Sequence, residues 1–285
     1  MSGPGANLRD MRVIIDGVET TDEDAVVPVF DWGLQRGFGA FEVIRSYGGR
    51  LFREAGHLDR LERSLAALHI GLPPRDSLER WIRRAAGEGG ECTVRVIVTG
   101  GGRDVLFPTP SHTIVIWEPL PSVPDSLRLI PVTASWHPGT SAATFHGIKW
   151  LSYAPNMAAT DAARRDGFDD ALLLTATGDV LEGPTFAVAW AVDGVVETPG
   201  MEMGILASIT REVLLEASAL LGLEVRQGRY PLARLLTADE VMALSTTKEV
   251  TPVALVGEHK MGSGPVASRL AEAHGAIVSG DLGPG

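Results

Sequence analysis

Apolar and polar positions along the chain change period several times, and each change predicts an element. MRVIIDGVET reads as a strand, an Asp-Gly turn and a second strand beginning, because that dipeptide between apolar runs favours a tight hairpin. AFEVIRSYGGRLF predicts another hairpin with Gly48 and Gly49 at the turn. In HLDRLERSLAALHIGLP, Leu58, Leu61, Leu65 and Leu68 recur at helical spacing before Gly71 and Pro73 close the segment. Residues 76–86 predict a shorter helix with Leu78, Trp81, Ile82 and Ala85 on one face, and TVRVIVTG and HTIVIWE read as further strands.

EPLPSVPD places three prolines within residues 118–125, where stiffness and lost backbone donors argue for a connection between domains. The expected organisation is a small N-terminal α/β lobe over 1–117, a linker over 118–125 and a larger β-rich domain with helices over 126–285. In that domain LRLIPVT reads as a strand, residues 156–166 as a helix ended by Gly167, and DDALLLT, Val180 to Glu182 and FAVAWAV as three strands. An Asp-Gly turn and VVET follow. SITREVLLEASALLGLEV predicts a helix whose apolar face runs through Val213, Leu214, Ala217, Leu220 and Leu221, and a last helix is expected at 266–278. The overall class is α+β in two domains.

The 285 residues suffice for an enclosed site, and 45% hydrophobic with 21% charged residues is ordinary for a globular protein. No apolar run approaches the roughly 20 residues that span a bilayer, and the start lacks a signal-peptide pattern. A net charge of −11 argues against a nucleic-acid partner, which would require clustered cations. The single cysteine, Cys92, excludes an intrachain disulfide framework and points to the cytoplasm. Arginine supplies nearly all the positive charge, and the only lysines are Lys149, Lys248 and Lys260. Each lysine is therefore more informative than usual.

Four segments carry candidate chemistry. In HGIKWLSYAPN, Lys149 lies in an apolar run, where lost solvation would free its amine as a nucleophile; a lysine snorkelling from a strand edge reads equally well. Glu182, between two apolar strands and followed by Gly183 and Pro184, must pair with a cation, become protonated, or lie solvated at a hairpin end. In MGILASITREVLLE, small residues precede a helix starting near Ile209 and Thr210, which suits an anion or an ordinary Ser/Thr cap. ALSTTKEVTPV delivers Ser245, Thr246 and Thr247 in succession, with Pro252 expected to end the motif.

In this order, with GAFEVIRSY and HLDRL upstream, the segments resemble the fold-type IV, or class IV, pyridoxal-phosphate aminotransferases across most of the chain. The family includes branched-chain and D-amino acid aminotransferases, (R)-amine transaminases and aminodeoxychorismate lyase. The resemblance implies pyridoxal 5′-phosphate as cofactor, with Lys149 as Schiff-base lysine and general base. It implies Glu182 on the pyridine nitrogen, Tyr153 on the phenolic oxygen, and Arg60, Ile209, Thr210 and Thr246 on the phosphate. Arg36, Phe41, Arg45, Arg95 and Thr247 fall in segments that line the family's substrate pocket, and guanidinium suits carboxylate binding. No metal is implied.

Three departures alter that picture. Arg36 and Phe38 replace a common aromatic and a common aspartate. Gly100 stands where D-amino acid enzymes carry an arginine, so a carboxylate trap would have to be rebuilt from Arg36 or Arg103. Ala187 replaces a common asparagine after the pyridine-binding acid. The implied activity is ping-pong transfer of an amino group between an α-amino acid or (R)-amine and a 2-oxo acid by a homodimer, with D-amino acids slightly ahead of branched-chain L-amino acids. Pyruvate elimination by an aminodeoxychorismate lyase is the enzymatic alternative, and a non-catalytic pyridoxal-phosphate-binding protein is the other.

Overall fold

Asp16 and Gly17 both take positive φ, 51° and 86°, as the tight turn between β1 (Val13–Ile15) and β2 (Val18–Thr20) requires. The computed structural model describes residues 12–21, 23–87, 90–102, 108–140 and 146–283. It divides into two compact units, residues 1–121 with 148–152, and residues 122–147 with 153–285.

In the first unit, Asp31 caps α1 (Trp32–Arg36) by accepting the Gly33 N–H at 2.6 Å. Next come β3 (Gly39–Tyr47), the Gly48-Gly49 turn, β4 (Arg50–Leu51), α2 (Glu54–Ala67), α3 (Arg75–Ala86), β5 (Cys92–Thr99) and β6 (Thr113–Pro119). The strands form an antiparallel sheet in the order β2-β1-β6-β5-β3-β4. Alternation along β3 and β5 turns Ala40, Ile44, Val94, Val96 and Val98 into a core with Leu58, Leu61 and Leu65 of α2 and Leu78 and Ile82 of α3. Because β6 runs through Pro119, the first two residues of the proline-rich segment complete a strand.

The second unit contains β7 (Leu127–Thr133), α4 (Ala154–Arg165), β8 (Asp170–Leu174), β9 (Ala187–Val192), β10 (Val195–Pro199) and α5 (Ile209–Leu220). It continues with β11 (Val225–Gly228), α6 (Leu232–Leu235), β12 (Glu240–Ser245), β13 (Glu249–Val256), β14 (His259–Lys260) and α7 (Pro265–Leu282). Its mixed sheet runs β11-β10-β9-β12-β13-β7-β8, with β14 added on β13. The continuous apolar run of β9 is buried on both faces: Val188 and Trp190 enter one core, while Ala187, Ala189 and Ala191 enter another with Leu214, Val266 and Leu270. Among the described residues, no helix is long and apolar enough to cross a membrane.

Four expectations change. Val180 to Glu182 is bridged to β8 at Leu174–Val180 and exchanges two backbone hydrogen bonds with Leu173, but it does not extend into a strand, because Gly183 turns back at once to donate to the Phe186 carbonyl. Pro252 does not end its motif: it lies exposed within β13, facing Met242, beside a register shift between Val253 and Leu255. Leu220 leaves the apolar face of its helix and is 75% exposed in the last turn. Lys149, assigned from sequence to the larger domain, belongs to the first unit, to which backbone hydrogen bonds tie residues 149–151.

Candidate active site

Those bonds make the lysine segment a short extra rung on β3. Phe41 N donates to the Lys149 carbonyl at 3.0 Å, Leu151 N donates to Gly39 O at 2.9 Å, and Lys149 N donates to Ser64 Oγ at 3.1 Å. Glycine at 39 permits the approach, since a Cβ there would meet Val98 O at 2.4 Å and Leu151 Cδ1 at 2.6 Å. Lys149 is half-buried, and its Nζ lies 4.4 Å from the Phe41 ring centroid.

Glu42 projects from β3 to the sheet's other face and is fully buried. It receives Arg60 Nε at 2.6 Å, Arg60 Nη2 at 2.7 Å and His57 Nδ1 at 2.8 Å. Burial pushes the carboxyl upward, but the charge and hydrogen bonds of Arg60, with the His57 bond, outweigh it and bring the pKa down to about 2. A carboxylate only accepts, so His57 carries its proton on Nδ1. Burial lowers the His57 pKa against the pull of Glu42, and the charges of Arg60 and Lys149 lower it further. Arg60 thus has two nitrogens committed to a carboxylate that the sequence reading did not pair with it.

In the second unit, Glu182 is half-buried and receives two donors. Leu206 N–H straddles its oxygens at 3.2 Å each, and His137 Nε2 lies 2.9 Å from Oε1. Three residues after Leu206 begins α5, where Ser208 Oγ accepts Arg211 N–H at 3.2 Å. The N–H groups of Ile209 and Thr210, in the first turn, have no acceptor within the helix, which makes this end suited to an anion. Tyr153 stands at the start of α4; from that helix Asn156 Nδ2 donates to Pro184 O at 2.9 Å, two residues beyond Glu182. Thr246 and Thr247 occupy the half-buried turn between β12 and β13, held by Ser245 Oγ, which accepts Lys248 N–H at 3.1 Å. Burial lowers the pKa of Lys248, whose Nζ lies 5.5 Å from the Phe186 ring centroid.

The proposed substrate arginines all have partners. Arg36 is exposed at the end of α1 with its guanidinium 5.3 Å from the Trp32 ring centroid. Arg45 pairs with Glu91 at 2.9 Å, and Arg95 makes a two-pronged pair with Glu118 at 2.8 and 3.0 Å. Phe41 shares the Arg95 face, 5.8 Å from ring centroid to guanidinium carbon. Arg103 lies outside the described residues. His137 escaped the sequence reading because no motif spacing marks it. Glu42 and His57 could have been found: a charge alternating with Ala40 and Ile44, and a histidine three residues before Arg60 on the leucine-bearing helix, both fall on core faces.

The family model for amino-transferase class IV matches residues 39–256, and the chain belongs to that family. It is a pyridoxal-phosphate-dependent transaminase with the fold-type IV architecture. The chain is 31% identical to a putative branched-chain-amino-acid aminotransferase of Methanocaldococcus jannaschii over 85% of its length and 87% of the relative. Identity to an aminodeoxychorismate lyase of Bacillus subtilis is 30%, over 88% of both chains. A D-alanine aminotransferase of Listeria monocytogenes is 28% identical over 94% of this chain and 95% of its own. The branched-chain aminotransferase of the thermophilic archaeon Thermoproteus uzoniensis, solved with norvaline, superposes with a TM-score of 0.86 at 28% identity, covering 95% of both chains.

Proposed function

We propose that this enzyme moves an amino group between an α-amino acid or (R)-amine and a 2-oxo acid in two half-reactions, with D-amino acids ahead of branched-chain L-amino acids as donors. The observation that carries the reading is the Lys149 amine, half-buried over the Phe41 ring on a segment pinned by three hydrogen bonds. The residues present fit the cofactor: an amine on a rigid rung, an acid held by N–H donors, and a helix start with unspent N–H groups. Bound pyridoxal phosphate supplies a carbonyl for amines and a ring that accepts the electron pair left at the substrate α-carbon. Lys149 would hold the carbonyl through its amine, and its Nζ would carry the α-carbon proton. Glu182 would accept from the ring nitrogen and Tyr153 would reach the phenolic oxygen. Arg60, Thr246 and the N–H groups of Ile209 and Thr210 would take the phosphate, and Glu42 fixes the Arg60 fork.

Commitment of Arg45 and Arg95 to glutamates supports a substrate-carboxylate site that departs from a simple arginine trap, as the irregular arginine pattern suggests. Thr247 and Phe41 would line that pocket. We propose a homodimer acting in the cytoplasm, and sedimentation of the purified protein tests the assembly. The likeness to the Bacillus subtilis lyase supports a second reading, elimination of pyruvate from aminodeoxychorismate. A panel of D- and L-amino acids and both phenylethylamine enantiomers, each with 2-oxoglutarate or pyruvate, decides between donors. Pyruvate release from aminodeoxychorismate without an acceptor would establish the lyase. Absence of turnover on every compound by cofactor-loaded protein would support the non-catalytic alternative, against which Lys149 and Glu182 together weigh.

A further inference from the structure

We propose that His137 is a positioning residue that holds Glu182 in its hydrogen-bond-accepting form toward the cofactor's ring nitrogen. The inference rests on the reading of Glu182 as the acid on that nitrogen. His137 is 5% exposed, in the loop between β7 and α4. Gly139 N–H can only donate, and it lies 3.0 Å from His137 Nδ1. Nδ1 is therefore the acceptor, and Nε2 carries the proton that points to Glu182 Oε1 at 2.9 Å. A neutral imidazole in this tautomer adds a donor beside the carboxylate without adding a charge that would compete with a protonated ring.

The surrounding backbone fixes this geometry. A Cβ on Gly139 would strike Met203 O at 1.9 Å, and one on Gly204 would meet Gly139 Cα at 2.8 Å. The loop bearing His137 is therefore packed directly on the stretch of chain that leads to Leu206, the second donor to Glu182. The neighbouring Trp136 extends the same brace, since its Nε1 donates to Asn156 Oδ1 at 2.8 Å and Asn156 donates to Pro184 O. Donors directed at a carboxylate favour its charged form, which leaves the shared proton on the ring nitrogen. Without His137, that proton would be drawn toward Glu182, and the ring would lose pull on the electron pair of the substrate.

Two substitutions separate this role from simple support of the loop. His137→Asn places an amide oxygen where Nδ1 accepts from Gly139 but cannot reach Glu182. His137→Gln places an amide N–H where Nε2 stands and gives up the Gly139 contact. Each variant is loaded with cofactor labelled with ¹⁵N in its ring, and the ring-nitrogen resonance is recorded alongside bound-cofactor content and kcat. His137→Asn should keep its cofactor, move the resonance toward the unprotonated position and lower kcat by about 10- to 100-fold. His137→Gln should recover most of both losses. A resonance unmoved in His137→Asn, or losses larger in His137→Gln, would overturn the proposal. Glu182→Gln is the control: if the resonance stays in place there, the reading of Glu182 is what fails, and the inference falls with it.

Discussion

Replacing Glu42 with glutamine keeps the shape of the β3 side chain and removes a charge from a fully buried site, leaving Arg60 and its guanidinium without their counterion. The magnitude follows from the carboxyl's depression from 4.5 to about 2, which at roughly 1.36 kcal/mol per pKa unit corresponds to about 3 kcal/mol of stability. The cost of breaking a buried pair by removing one partner, about 3–5 kcal/mol, agrees. A depressed carboxyl stabilises the folded state fully above its unfolded pKa, and that contribution is lost as pH falls from 4.5 toward 2. Hydrogen exchange of the α2 peptides reads the effect within the first unit. Near neutral pH, Glu42→Gln should exchange about 100-fold faster than the parent, and the gap should narrow to about tenfold near pH 3 and close toward about pH 2. An acceleration of less than about threefold, or a gap independent of pH, would refute the assignment of Glu42 as the charged anchor of Arg60.

Other substitutions probe the remaining parts. Lys149→Arg keeps a cation over Phe41 but loses the nucleophilic amine, so borohydride should fix no cofactor on residue 149 by mass spectrometry and turnover should fall by at least about 10³-fold. Ser208→Ala removes the cap of α5, and calorimetry should show a loss of about 1 kcal/mol; affinity for pyridoxal phosphate should weaken more than affinity for pyridoxal. Glu118→Gln releases Arg95 from its two-pronged pair, and KM for a dicarboxylic 2-oxo acid should fall by about three- to tenfold with kcat little changed. An unchanged KM would place Arg95 outside the substrate pocket.

Periodicity alone determined most of the elements here, because the pleat of two residues and the helical turn of 3.6 are written directly into where Leu58, Leu61 and Leu65 or Val94, Val96 and Val98 recur. Asp16-Gly17 and Gly48-Gly49 announced their turns since few other residues tolerate positive φ. The order of the lysine, glutamate and threonine segments was enough to indicate the family. Tertiary structure decided what each charge faces. Lys149 is joined to β3 by hydrogen bonds from residues more than a hundred positions away, and no local pattern encodes that rung. Arg60, on helix α2, meets a glutamate on strand β3, and Glu182 is braced by a histidine 45 residues earlier and a backbone N–H 24 residues later. Hydropathy tells which side of an element is buried; which polar atoms must satisfy one another there depends on the packing of elements distant in sequence.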